Sequence, residues 1–363
     1  MSPPGGASLL TAQGLLEAEA RAGSFPGGVV GCLTRDGAAI LPFGALDYSE
    51  DASRVEEGTT YDLASLTKVI GTTTALMRLV EEGLDIEAPV SRFLPRFGKG
   101  EKAGIRLRHL LAHSSGLPAH RPLYQNLRGR EAYLAGIAAL PLDAAPGSRG
   151  LYSDLGFITL GFVLEAATGE ALDHLVNRLV LGPLGMDETG YLPPPERHAR
   201  IAPTEIDPWR GRLLRGEVHD ENAFALGGVS GHAGLFGTAG DLARFSQMIL
   251  DGGLHDGKPF LSPHTLARFF RREGTPGSSR ALGWDTPSPG SSAGDTLSED
   301  AIGHTGFTGT SLWIDRGKGL GILLLTNRVH PTRENTRIFE VRRRVADLLS
   351  ASASSGSRPG SPS

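Results

Sequence analysis

Apolar positions along this chain follow two different periods. Val29, Val30, Cys32 and Leu33 run into Arg35-Asp36-Gly37 and then into a second apolar stretch from Ala38 to Phe43. That pattern predicts a β-hairpin over 27–44 with Asp36-Gly37 in its turn, where a type I′ geometry needs φ > 0 at both central residues. After Tyr61-Asp62-Leu63-Ala64 the period lengthens, with Leu76, Leu79 and Val80 at helical spacing, so a helix is expected over about 65–82 with Gly83 as its stop. Short helical patterns joined by Gly- and Pro-rich loops occupy the middle, among them 157–168 and 241–250. The second opens with Thr238-Ala239-Gly240-Asp241, a capping-box signature in which each side chain satisfies a free backbone N–H of the first turn. Two further strands, 311–315 and 320–326, flank a turn at Arg316-Gly317-Lys318-Gly319, and a basic helix is expected over about 334–349. The reading is one α+β domain over 1–350. Its antiparallel sheet comes from about 20–90 and 285–350, with a helical region over 91–284 between them. Residues 351–363 are nearly all Ser, Ala, Gly and Pro and are expected to be a disordered tail.

Composition narrows the function classes. Thirty-six Lys and Arg against 40 Asp and Glu leave a net charge of −4 in 363 residues, without the basic footprint of a nucleic-acid binder. The single cysteine, Cys32, makes neither an internal disulfide nor a thiolate metal cage and is expected to pack as a small buried hydrophobe. The opening residues lack a basic, then apolar, leader pattern, and no stretch has the ~18 uncharged apolar residues of a membrane span, so a cytoplasmic location is expected.

Candidate chemistry begins at Ser65-Leu66-Thr67-Lys68. Residues three apart at a helix start lie on one face, so a hydroxyl and an amine can meet there. Serine is a weak nucleophile until a neighbour takes its proton, and lysine can do so only when neutral. Three later segments carry polar chemistry: Arg108 to Leu117, with His113-Ser114-Ser115-Gly116; Tyr152-Ser153-Asp154; and His304-Thr305-Gly306-Phe307-Thr308-Gly309, just before the strand at Ser311.

In this order and at these separations, the segments resemble the serine hydrolases of the class C β-lactamase and DD-peptidase family, over about residues 25–348. The resemblance implies a β-lactamase/transpeptidase-like sheet flanked by helices. It also implies Ser65 as acylated nucleophile, Lys68 as its proton-accepting neighbour and Tyr152 as proton shuttle; which of the last two is the base stays open. The backbone N–H groups of Ser65 and Phe307 would hold the oxyanion, while Asp154, His304, Thr305, Gly306 and Phe307 would bind substrate. Gly306 and Gly309 fit close approach of a substrate to the strand edge. Two residues depart from the family pattern. Asp154 stands where asparagine is usual, replacing an amide donor with a carboxylate that also holds Lys68 charged. His304 stands where a lysine is common, and is a cation only below ~6.5 unless a carboxylate raises it.

A second polar cluster, Val218-His219-Asp220-Glu221-Asn222 with Gly227 to Gly234, reads as a cleft-lining loop rather than a metal site; Ser230 and His232, two apart in a glycine-rich loop, need not face one another, and no Gly-x-Ser-x-Gly elbow accompanies them. The expected activity is metal- and cofactor-free acyl transfer to water on a small-molecule ester, peptide or β-lactam, with esters favoured. The alternatives are DD-carboxypeptidase or β-lactamase turnover, or a non-catalytic binding protein that keeps the pocket.

Overall fold

The computed structural model describes residues 6–353. Strands Gly27–Thr34 (β1), Gly37–Gly44 (β2), Ala301–Thr305 (β3), Ser311–Asp315 (β4) and Leu320–Thr326 (β5) form an antiparallel sheet ordered β3-β4-β5-β1-β2. The two ends of the chain meet at its centre, where β1 pairs with β5 in the register Val30↔Leu324.

Strand β1 is apolar on both faces because both are covered. Val29 and Leu33 join the main core, whereas Val30 and Cys32 point into a second cluster with Leu9, Leu16, Ile322, Leu324, Val341 and Val345. That second cluster is closed by Gly6–Arg21 (α1) and Ile338–Ala353 (α5), while Ala239–Leu250 (α4) packs on the opposite face. Between them in sequence lie Thr74–Glu81 (α2) and Asp154–Thr168 (α3). Helix α3 is buried over Leu155 to Leu164, capped at its start by the Ser153 hydroxyl and stopped by Gly169 at φ +72°.

Several local expectations shift. The first hairpin's two-residue loop is Arg35-Asp36, and Gly37 opens β2 at φ +141°, so the positive φ falls on one residue instead of two. The predicted helix over 65–82 forms but is not regular throughout: Ser65 lies in a turn, Leu66 and Thr67 are helical, Lys68–Thr73 forms a π-helical segment, and α2 continues from Thr74. There the Thr74 hydroxyl donates to the Val69 carbonyl, five residues back, which fits the wider winding. The capping box at α4 is half made. Thr238 accepts from the Asp241 N–H, but the Asp241 carboxylate turns to the Glu188 N–H and the Thr189 hydroxyl. The terminal helix begins at Ile338 rather than near 334, because Arg333 is drawn away to Glu205 and Glu221. It runs to Ala353, into the segment expected to be a tail, and the rest of that segment lies outside the described residues. Helix α1 was not anticipated at all. Cys32 is buried, and burial pushes its thiol up to about 11. No single described helix is long and apolar enough to cross a membrane; the bent pair Asp154–Thr168 and Leu172–Leu181 passes jointly by length and composition, and its first helix is core.

Candidate active site

The turn after Tyr61-Asp62 positions the nucleophile candidate. Ala64 adopts φ +46°, and the N–H groups of Leu66, Thr67 and Lys68 bond the carbonyls of Leu63, Ala64 and Ser65 at 3.0, 3.0 and 3.1 Å. This tight winding leaves Ser65 on the wall of a cleft of about 550 Å³ and drops Lys68, 0% exposed, into the protein beneath it. The Lys68 Nζ donates to Ser65 Oγ at 2.8 Å and to the His232 carbonyl at 3.0 Å, and it pairs with Asp154 Oδ1 at 2.8 Å. Tyr152 arrives from the opposite side, its hydroxyl donating to Ser65 Oγ at 3.0 Å. Ser65, Lys68, Tyr152 and Asp154, from two stretches of chain, therefore meet around one hydroxyl.

Burial alone would lower the Lys68 amine, but the Asp154 carboxylate and then Tyr152 outweigh it and push the amine above its ordinary value. The amine is a fixed cation at neutral pH and a poor proton acceptor. What it can do is stabilise negative charge on the two oxygens it faces, which leaves the phenol oxygen as the group able to exchange a proton with Ser65.

The segment after β3 closes the site's far side. Gly306 N–H bonds the Thr310 carbonyl at 2.7 Å, and Gly309 N–H bonds the Gly306 carbonyl at 3.2 Å. The Thr308 and Thr310 hydroxyls donate to the Asp62 and Leu63 carbonyls at 2.7 and 3.1 Å, so this loop is tied to the backbone just ahead of Ser65. A Cβ at Gly306 would sit 2.0 Å from Thr310 Oγ1 and 2.6 Å from the Leu63 carbonyl oxygen; one at Gly309, φ +121°, would sit 2.2 Å from Thr326 Oγ1. These glycines are required by the protein's own packing, whatever approach a substrate makes to the strand edge.

Residues 13–347 match the Beta-lactamase family. The chain belongs to the β-lactamase family. Over 371 residues it is 34% identical to an N-acetylmuramyl-L-alanine amidase of Bacillus subtilis strain 168, covering 90% of this chain and 83% of the relative. It is also 34% identical over 330 residues, 80% and 75% of the two chains, to an Escherichia coli K12 protein provisionally named D-alanyl-D-alanine carboxypeptidase. The solved structure of EstCE1, a hydrolase with promiscuous acyltransferase activity, shares the fold with TM-score 0.74 at 24% identity, over 94% of this chain and 98% of that one.

In this β-lactamase-family site, His304, Thr305, Gly306 and Phe307 all line the cleft. His304 differs from a lysine in charge as well as in shape. Burial, then Arg280 and Lys68, hold its imidazole well below the ordinary value, and its Nδ1 donates to the Thr305 carbonyl at 2.9 Å. It is neutral at pH 7 and brings no cation to this wall. The cations lining this cleft are Arg280, Arg328, Arg333 and Arg342; the Arg280 guanidinium lies 4.9 Å from the Tyr152 ring centroid and 3.4 Å from Asp285. The sequence pattern did not single out Arg280.

The second polar cluster divides into structural pairs. His219 Nε2 meets Glu205 at 2.8 Å, while Asn222 takes the Tyr124 N–H and the Tyr133 hydroxyl. Among the described residues, no group of three or more His, Cys, Asp or Glu is arranged to hold a metal ion. His219, Asp220, Glu221 and Ala233 line the cleft. Ser230 and His232, whose spacing left their mutual orientation open, do meet: Ser230 Oγ lies 2.8 Å from His232 Nδ1, and His232 Nε2 lies 2.8 Å from Asp220. Ser230 is buried and off the cleft wall, so the arrangement acts as a brace for the His232 carbonyl that holds Lys68. His113 also belongs to the site. Its Nδ1 accepts from the Ser153 N–H at 3.0 Å, its ring packs 4.5 Å from Tyr152, and burial, then Arg280 and Lys68, keep it neutral.

Proposed function

We propose that this β-lactamase-family serine hydrolase works through an acyl-serine at Ser65, with Tyr152 as the proton-transferring group and Lys68 as a permanent cation beside both. The observation that carries the reading is the buried Lys68 amine, ion-paired to Asp154 at 2.8 Å while it holds Ser65 Oγ at 2.8 Å. With Tyr152 reacting as the phenolate beside the Lys68 cation, Ser65 Oγ attacks the acyl carbon as its proton passes to the Tyr152 oxygen. That proton then goes to the leaving oxygen or nitrogen as the acyl bond breaks. Water attacks the acyl-serine, giving one proton to Tyr152 and restoring the Ser65 hydroxyl. The backbone N–H groups of Ser65 and Phe307 hold the tetrahedral oxyanion, each such donor being worth about 3–4 kcal/mol. Thr305 and Gly306 line the substrate's path.

Esters of small acids are the favoured substrates. Asp154, committed to Lys68, has no N–H to offer an amide carbonyl, and neutral His304 offers no charge to a carboxylate. The relatives named as an amidase and a carboxypeptidase support a second reading, hydrolysis of a D-alanyl peptide or a β-lactam. Labelling with a fluorophosphonate and locating the adduct by mass tests the first step. Modification at Ser65, lost in Ser65→Ala and slowed by about 10²–10⁴-fold in Tyr152→Phe, is expected. An unlabelled wild-type protein would point instead to a binding module. Faster turnover of a D-Ala-D-Ala peptide than of a nitrophenyl ester would overturn the ester preference.

A further inference from the structure

Arg342, on α5, is buried at 5% exposure, yet no carboxylate pairs with it among the described residues. A guanidinium taken out of water without a counter-ion is costly, and such a group persists only where other partners or a task hold it. Burial and then Arg328 draw it down to about 9, so it remains charged at neutral pH. Its Nη2 donates to two main-chain carbonyls of the loop after β3, Gly306 at 2.6 Å and Thr310 at 2.8 Å. Its neighbour Arg328 donates from Nε to the next carbonyl, Phe307, at 2.8 Å.

The consequence follows from peptide geometry. The only cis bond among the described residues is His330-Pro331, so the Gly306-Phe307 peptide is trans, with its C=O and N–H pointing in opposite directions. Fixing the Gly306 carbonyl on Arg342 therefore fixes the direction of the Phe307 N–H. That N–H has no acceptor among the described residues, and Gly306 itself packs against Leu63 and Ala64, the two residues before Ser65.

We infer that Arg342 is a positioning residue: by gripping the Gly306 and Thr310 carbonyls it aims the Phe307 N–H at the substrate's developing oxyanion. The inference rests on the acyl-serine reading above. Arg342 touches no reacting atom in this role, and the guanidinium serves as a two-pronged donor that polarises the very peptide whose N–H does the work. Lysine, a single point charge on a flexible stem, replaces it only in part.

The test compares wild type, Arg342→Gln and Arg342→Lys. All are first shown to be folded by circular dichroism and urea unfolding. Each is then assayed for fluorophosphonate labelling rate, for kcat and KM on two esters of one acid, one with a neutral and one with a carboxylate-bearing leaving group, and for affinity to a phenylboronic acid that mimics the tetrahedral state. In Arg342→Gln, labelling, kcat and boronate affinity should fall by about 10–100-fold, less than the ~10²–10³-fold seen on deleting an oxyanion donor outright. KM should hold, the loss should be the same for both esters, and Arg342→Lys should recover part of it. A loss confined to the KM of the carboxylate-bearing ester would overturn the inference in favour of direct anion binding. Unchanged labelling and boronate affinity in folded Arg342→Gln would overturn it while leaving the acyl-serine reading intact. A wild-type protein that takes no label would remove both.

Discussion

Replacing Asp154 with asparagine removes the counter-ion of Lys68 and leaves the amine's other two partners, Ser65 Oγ and the His232 carbonyl, in place. Two unit charges 2.8 Å apart attract by about 6 kcal/mol at an effective dielectric of ~20. Because Asp154 is 20% exposed and the asparagine amide retains a dipole, the smaller cost typical of breaking a buried pair, about 3–5 kcal/mol, is the better expectation. At about 1.4 kcal/mol per pH unit, that lowers the pH at which folded Lys68 releases its proton by about 2–4 units. The sign of the stability effect is fixed by linkage. In the wild type the folded amine is raised above its ordinary value, so its contribution is complete below the unfolded lysine value of ~10.4 and fades only as pH climbs through the folded one. In Asp154→Asn the folded amine titrates below the unfolded lysine, so in the interval between them the unfolded chain holds one more proton. Unfolding free energy then rises by about 1.4 kcal/mol per pH unit relative to wild type. Urea unfolding of both proteins from about pH 6 to about pH 9.5 measures this directly. The variant should be weakest at the acid end and close the gap as pH rises. A gap that stays constant across the range would refute a charged, Asp154-dependent Lys68.

Gly306→Ala puts a methyl 2.0 Å from Thr310 Oγ1 and 2.6 Å from the Leu63 carbonyl oxygen; a stability loss of about 1–3 kcal/mol, with a larger fall in labelling rate than in KM, is expected. A variant that labels at the wild-type rate would show that the loop's conformation is not needed for acylation. His304→Gln addresses acid stability. Because folded His304 stays neutral while the unfolded imidazole takes a proton below ~6.5, this residue costs the wild type up to about 1.4 kcal/mol per pH unit as pH falls. The variant should show a shallower acid limb in urea midpoints, and parallel limbs would contradict the neutral assignment.

The glycine spacing and apolar runs made much of the frame legible. The β1/β2 and β4/β5 hairpins, helix α3 and the terminal helix follow from local patterning, because strand alternation and helical period are imposed by backbone geometry whatever the partner. Helix α1 escaped because its buried face, Leu9, Ala12 and Leu16, is narrow and set among Gly, Ala and Gln. The π-helical winding after Ser65 escaped for a different reason. Widening to a π-helical turn depends on what Lys68 and Thr72 reach for, and the carbonyls of His232 and Gly231 are more than 150 positions away in the chain.

At the site, residue types suggested the Ser65 and Lys68 pair, and the resemblance to the family added Tyr152 and the His304 to Phe307 segment. They also anticipated that a carboxylate at position 154 would hold Lys68 charged, since that needs only the two groups to be neighbours. The protonation states were decided in three dimensions. His304 is neutral because it is buried between Arg280 and Lys68, and Arg280 reaches the cleft from a loop with no motif around it. Arg342 sits in a run of three arginines that reads as a solvated basic face, and only the packing of α5 under the loop turns one of them inward. A sequence specifies which groups are available and which local turns carry them. The distances that set charge, pairing and direction arise where distant segments are packed together, because desolvation and Coulomb energies depend on separations that chain order does not encode.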